Sequence, residues 1–314
     1  MKVIALVGPT ASGKTALSLA VADLVGGEVI SMDSRQAYRG MSVGTAAPGP
    51  AEMARVPHHG VGFLDPRTRY GAGRFADCAS EWIARIRARD RVPVLAGGTG
   101  LFLKVLTDPM FAEPDLGGSR RERLERWTRR QPNELVSFWA ERLDRGGGKF
   151  DRQRAGRTVE LALLSGRPLS WWIRHGEPSR EPVRVLAFRI DLPPGDLRHR
   201  IRCRAESLLE SGRWQREAEA LLRAGVATTP AMDAVGYGEV FSLLRGEITA
   251  ADALRRIEAA TWRYARRQRT WFRGQLPDGT AVLDGTKPVD ELARIVVRSW
   301  RKCHDNGLPA GKSV

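Results

Sequence analysis

The sequence predicts an α/β protein built on a parallel sheet, with a small helical insertion and a helix-rich, basic C-terminal part. Three observations carry that expectation. Gly8, four residues and then Gly13-Lys14-Thr15 fit the phosphate-loop pattern G-x-x-x-x-G-K-[ST], set between an apolar run and a helical pattern. Strand and helix signals alternate through the first hundred residues. The character changes near Asp115, where a charged helical stretch begins.

Each element follows from its local pattern. Val3–Val7 is continuously apolar, as a strand buried on both faces should be. After the loop, Leu17, Ala20, Val21, Leu24 and Val25 recur at helical spacing, and Gly26-Gly27 stops that helix. Residues 29–32 form a second strand, ending at Asp33. Phe75, Ala79, Trp82, Ile83 and Ile86 mark an amphipathic helix, followed by a strand over 92–96 and then Gly97-Gly98-Thr99. Residues 117–145 are charged and helix-like, closed by the breaker Gly146-Gly147-Gly148. A helix over 151–164 leads to Gly166, and a strand over 183–190 precedes Pro193-Pro194. Helical patterning then runs to about Arg273, with a short strand near 281–283.

These elements divide the chain into four stretches. Residues 1–112 begin a P-loop NTPase-like core, and 113–150 are the helical insertion. Residues 151–304 complete the core and supply polyanion-binding helices, and 305–314 are expected to be a disordered tail.

The net charge of +15 is unevenly spread. Residues 1–110 hold 13 Lys and Arg against 9 Asp and Glu, a net of +4, and the remainder hold 38 against 27, a net of +11. Such an excess suits a polyanionic partner, either nucleic acid or an anionic membrane surface. No apolar run approaches the ~20 residues that span a bilayer, and the first strand leads straight into the loop, so no signal peptide is expected. Cys78, Cys203 and Cys303 are far apart and form no C-x-x-C, which fits a reducing cytoplasm better than disulfides or zinc.

The loop residues Gly8, Pro9, Thr10, Ala11, Ser12, Gly13, Lys14 and Thr15 read as a diphosphate or nucleotide site. Backbone N–H groups and a helix N-terminus make the anion cradle, Lys14 adds a positive charge, and the Thr15 hydroxyl can hold Mg²⁺. Many NTPases end the third strand with a magnesium-holding carboxylate, but here that strand ends in Gly97-Gly98-Thr99. The available acid is Asp33, whose strand end faces the ligand crevice of a parallel sheet. It serves either as a general base or as a cap or water-mediated magnesium contact.

Residues 260–274, "ATWRYARRQRTWFRG", carry Arg263, Arg266, Arg267, Arg269 and Arg273 and no acid. At ~100° per residue the apolar positions share one face and the arginines the other, as phosphate binding requires. Trp262 falls on the arginine side, where an indole could stack on a base. His58-His59 have no metal-ligand spacing and read as structural, and Trp171-Trp172 read as packing. The residues alone leave open a small-molecule kinase using ATP and an RNA-binding module with a vestigial loop.

At this point the motifs resemble a known family. "GPTASGKT" (8–15), "DSRQAYRGMSVGTAAP" (33–48), "VPHHGVGFLDP" (56–66) and "VPVLAGGTGLF" (92–102) are similar to the bacterial tRNA dimethylallyltransferases. So are "DRQRAGRTVELALLSGRPLS" (151–170), "AVGYGEVFSLLRGEI" (234–248) and "YARRQRTWFRG" (264–274). The resemblance implies transfer of a dimethylallyl group from dimethylallyl diphosphate to N6 of the adenosine 3′ of the anticodon, with pyrophosphate leaving. It implies Asp33 and Thr99 as catalytic residues and Mg²⁺ as cofactor. It also implies tRNA contacts, through the anticodon stem-loop, at Ser34, Arg35, Gln36, Gln153, Arg154, Arg157, Val235, Gly236 and Tyr237. The same holds for Trp262, Arg263, Arg266, Arg267, Gln268 and Arg273. A cytoplasmic monomer with no membrane contact is expected. The chain departs from the family pattern at Ala47 (Lys in the family), Phe102 (Tyr), the 146–148 glycines and Trp262 (Arg).

Overall fold

The computed structural model describes residues 2–145, 148 and 150–305. Gly146, Gly147 and Lys149 of the expected breaker, and tail residues 306–314, lie outside the described residues. In chain order the elements begin β1 (Val3–Val7), α1 (Lys14–Val25), β2 (Gly27–Ser31), α2 (Pro50–Arg55) and β3 (His58–His59). They continue α3 (Ala72–Arg87), β4 (Val92–Gly97), α4 (Gly100–Thr107), α5 (Gly118–Arg130), α6 (Asn133–Leu143), α7 (Arg152–Ser165) and α8 (Leu169–His175). The remainder are β5 (Val185–Asp191), α9 (Pro194–Glu210), α10 (Arg213–Arg223), a 3-10 turn at Pro230–Asp233, α11 (Tyr237–Leu244), α12 (Ala250–Gly274), β6 (Ala281–Asp284) and α13 (Val289–Asp305).

The chain forms two compact units, one of residues 1–107 with 183–314 and one of Asp108–Pro182. This corrects the expected insertion boundary at 150. α7 packs on α5 and α6, burying Val136, Ala140, Ala155 and Val159 in one small core, so it belongs with the inserted helices. Pro132 separates α5 from α6 within that unit.

The larger unit holds a six-stranded sheet in the order β3-β2-β4-β1-β5-β6, with every pairing parallel. Parallel strands leave their C-terminal ends on one edge, so the loops after β1, β2, β4 and β5 converge there. Both faces are covered, which explains why β1 is apolar throughout. Val3, Ala5 and Val7 join Phe75, Ile83 and Phe102 on one face, and Ile4 and Leu6 join Leu17 and Val21 of α1 on the other. The second face also needs α13, whose Leu292, Ala293, Val296 and Val297 are buried against it. The pattern missed that helix, although these positions repeat at helical spacing. Phe102 stacks on Phe75 at 4.1 Å between ring centroids and is 2% exposed, so this departure from the family pattern lies in the core. Among the described residues no helix is long and apolar enough to cross a membrane.

Candidate active site

β1 delivers the chain into the loop at Gly8. A Cβ there would meet Ser12 Oγ at 2.9 Å and the Ile190 carbonyl at 3.0 Å, so the loop can turn this tightly only over glycine. Ala11 (φ 62) and Gly13 (φ 91) then take left-handed conformations that curl the loop before α1 begins at Lys14. Lys14 Nζ donates to the Pro9 carbonyl at 2.5 Å and to Ser12 Oγ at 3.5 Å. Loss of solvent around the ammonium lowers its pKa to about 8; the Asp33 charge opposes that shift and the Arg204 charge adds to it.

Asp33 lies just past β2. Its Oδ1 accepts the N–H of Arg35 at 2.8 Å and of Gln36 at 3.4 Å, an Asx turn that holds the carboxylate in place. β4 supplies the neighbouring turn, where Thr99 Oγ1 accepts the Ser34 N–H at 3.3 Å and lies near the Tyr264 hydroxyl. Burial, and next the Asp33 charge, push the Tyr264 phenol up to about 12.

Two cavities meet at these groups. The first, about 470 Å³, is lined by loop residues Thr10 to Thr15 with Asp33, Arg200, Arg204, Tyr264 and Gln268. The second, about 310 Å³, has an apolar wall of Ile201, Ala205, Leu208, Trp214 and Ile257, with Ser34, Arg35, Asp233 and Arg267 also lining it. Thr10, Ala11, Asp33, Thr45, Arg204 and Tyr264 line both, so the polar phosphate side opens into an apolar side at Asp33.

Several expected contacts are placed elsewhere than expected. Thr99 lines neither cavity; its hydroxyl accepts the N–H of Ser34, which lines the second. Gln36 spends its amide on the chain, accepting from Ser31 Oγ at 2.8 Å and donating to the carbonyls of Thr45 and Ala46. Tyr237 is fully buried beside Gly236, whose lack of a side chain lets Trp214 pack against it. Tyr237 offers no surface to RNA, whereas Gln36 is half-buried and lines the first cavity. Gln268 is 7% exposed, with both ends of its amide bonded to backbone, so it too is a structural bridge rather than a surface contact.

The arginine face is partly kept. Arg263, Arg266, Arg267 and Arg273 are exposed, with Arg267 5.7 Å from the Tyr264 ring centroid. Arg269 departs from it: it is 13% exposed and pairs with Asp191 at 3.3 Å. Trp262 is half-buried and packs on Leu192, Leu197, Ile201 and Ala265, because α9 crosses that side of α12. An open stacking platform is therefore not formed there. In the smaller unit Gln153 and Arg154 are exposed on the first turn of α7, whereas Arg157 pairs with Glu113 at 3.1 Å and Glu160 at 3.0 Å. His59 pairs with Glu28 at 2.7 Å, and His58 Nδ1 faces the Val56 carbonyl at 2.7 Å while its ring lines the first cavity.

Sequence reasoning missed Arg200 and Arg204, which α9 brings to the loop. Burial lowers the Arg204 pKa and the Asp33 charge opposes that shift, and Arg200 anchors on the Gly285 carbonyl at 3.2 Å. Their i, i+4 spacing beside Ile201 and Ala205 was the available signal, obscured by Arg198 before them and Arg202 between them. Among the described residues no three His, Cys, Asp or Glu side chains are grouped to hold a metal ion.

Comparison with known proteins matches residues 36–275 to the IPP transferase family model and residues 1–67 to that of isopentenyl transferase. A tRNA dimethylallyltransferase of Geobacter metallireducens is 37% identical over 277 residues, covering 87% of this chain and 89% of that protein. The crystal structure of a full-length tRNA isopentenylpyrophosphate transferase from Bacillus halodurans superposes with a TM-score of 0.69 at 28% identity, covering 97% and 98%. A eukaryotic dimethylallyltransferase acting on tRNA shares the fold, with a TM-score of 0.80 at 21% identity over 99% of this chain and 81% of that one.

Proposed function

The chain belongs to the IPP transferase family, and from that premise we propose that it transfers the dimethylallyl group of dimethylallyl diphosphate to tRNA. The acceptor is N6 of the adenosine 3′ of the anticodon, and pyrophosphate leaves. The observation that carries this reading is the meeting of two unlike cavities at Asp33. The loop side, with Lys14, Arg200 and Arg204, suits a diphosphate, and the apolar wall suits a five-carbon group and an extruded base. Phosphoryl transfer to a small hydroxyl compound has no use for that wall.

The C–O bond to the diphosphate breaks as the N6–C bond forms, and the N6 proton passes to the Asp33 carboxylate. Loop N–H groups, Lys14, Arg200 and Arg204 stabilise the charge that grows on the departing pyrophosphate. Tyr264 walls the junction of the two cavities where the base must enter.

A magnesium ion fits the donors present. The Thr15 hydroxyl and the Asp33 carboxylate line one cavity, which suits a hard cation that keeps most of its waters. When bound it neutralises diphosphate charge. Exposed Arg263, Arg266, Arg267 and Arg273, with Ser34 and Arg35 at the channel, would contact the anticodon stem-loop, as would Gln153 and Arg154 of the smaller unit.

Incubating the protein with labelled dimethylallyl diphosphate, γ-labelled ATP and bulk tRNA tests the reading. Prenyl label should enter tRNA. Movement of the γ-phosphate instead would establish the kinase, and tRNA binding with neither label moving would leave a binding module.

A further inference from the structure

We propose that Gln268 is a positioning residue of the transfer reaction, holding the phosphate loop and the Gly97-Gly98-Thr99 turn in register. This rests on the function proposed above. Gln268 Oε1 accepts the Thr10 N–H at 2.8 Å, and its Nε2 donates to the Gly98 carbonyl at 2.9 Å. The two partners stand 258 and 170 residues away in sequence, so one side chain ties together the loop that holds the donor and the turn beside the acceptor.

The geometry reaches the reacting atoms from both ends. Thr10 lines both cavities. Gly98 precedes Thr99, whose hydroxyl accepts the N–H of Ser34, the residue after Asp33. Tyr264, which lines both cavities, lies one turn before Gln268 on the same helix, α12. A Cβ on residue 98 would collide with Gln268 Nε2, so any larger residue there would displace this amide. A carboxamide offers a donor and an acceptor on one planar head without depending on its protonation state. At 7% exposure Gln268 presents almost nothing to RNA.

Gln268→Glu keeps the acceptor for Thr10 but loses the donor to Gly98, and Gln268→Met loses both at similar volume. Single-turnover transfer at saturating donor and tRNA, donor affinity, tRNA affinity at several salt concentrations and thermal melting are measured on the full chain. Both variants should slow transfer at least ~30-fold, within the ~100-fold that a 1 Å misplacement can produce, with tRNA affinity and salt slope within about twofold of wild type. The Gln268→Glu deficit relative to wild type should narrow as pH falls from about 8 to 6, because a protonated buried carboxyl regains the donor. The Gln268→Met deficit should not change. Unchanged transfer, a rate loss matched by lost tRNA affinity, or melting of both variants would each overturn the assignment. Absence of transfer by the wild-type protein would instead overturn the function on which it rests.

Discussion

The Tyr237 hydroxyl donates to Glu217 Oε1 at 2.6 Å, and the same carboxylate accepts the N–H groups of Val43 at 2.7 Å and Gly44 at 2.9 Å. One glutamate on α10 therefore fastens α11 and the 42–45 segment, and Thr45 of that segment lines both cavities. Burial and the Glu217 charge raise the Tyr237 pKa far above its usual value, so the phenol stays a donor. Tyr237→Phe should lose about 1–3 kcal/mol of stability, and Glu217→Ala roughly 3 kcal/mol or more because all of its donors, Ser42 Oγ at 3.5 Å included, lose their partner. Denaturant melts check this. An RNA contact at Tyr237 would instead lower tRNA affinity and leave the melt alone.

Asp33→Asn keeps an oxygen to accept the Arg35 and Gln36 N–H groups, so the turn should survive. The basicity and the negative charge both go. Transfer should slow at least ~100-fold, the scale of a positioned base, while tRNA affinity holds. Single-turnover rates near wild type would remove Asp33 as the base.

Lys14 makes donor binding depend on pH in a defined direction. Its pKa is lowered to about 8, so below that pH the ammonium is charged and attracts the diphosphate. Above it the free site carries a neutral amine, and binding must include uptake of a proton. Donor affinity should fall as pH rises through about 8, by up to about tenfold per unit. Lys14→Ala should bind the diphosphate more weakly and abolish the dependence, as calorimetric titration across pH 7–10 would read.

Arg263 and Arg266 are exposed on α12, and each replacement by Ala should lower the slope of log affinity against log salt by about one. Trp262→Ala should behave otherwise. Its half-buried ring supports Leu197 and Ile201, so about 2 kcal/mol of stability should go with little change in that slope. Filter binding at several salt concentrations, paired with melts, separates the two.

The sequence by itself determined the strand–loop–helix at residues 3–25, the strand end at Asp33 and the exposed arginines of α12. Each is a local pattern: an apolar run, a phosphate loop or a charged helix face reads the same wherever it lies in a fold. Family motifs along the chain likewise brought the diphosphate loop and a tRNA substrate within reach. Only the tertiary structure decided what each polar group meets. Gln268 and Tyr237 sit in motifs that resemble RNA contacts, yet their partners are a loop 258 residues away and a glutamate on another helix. Arg200 and Arg204 look like two more charges on a basic helix until α9 lies over the loop. Trp262 falls on the polar side of its own helix but is covered by a neighbour. Helical periodicity fixes which residues share a face; whether that face meets water, RNA or another element depends on long-range packing, which no local spacing encodes.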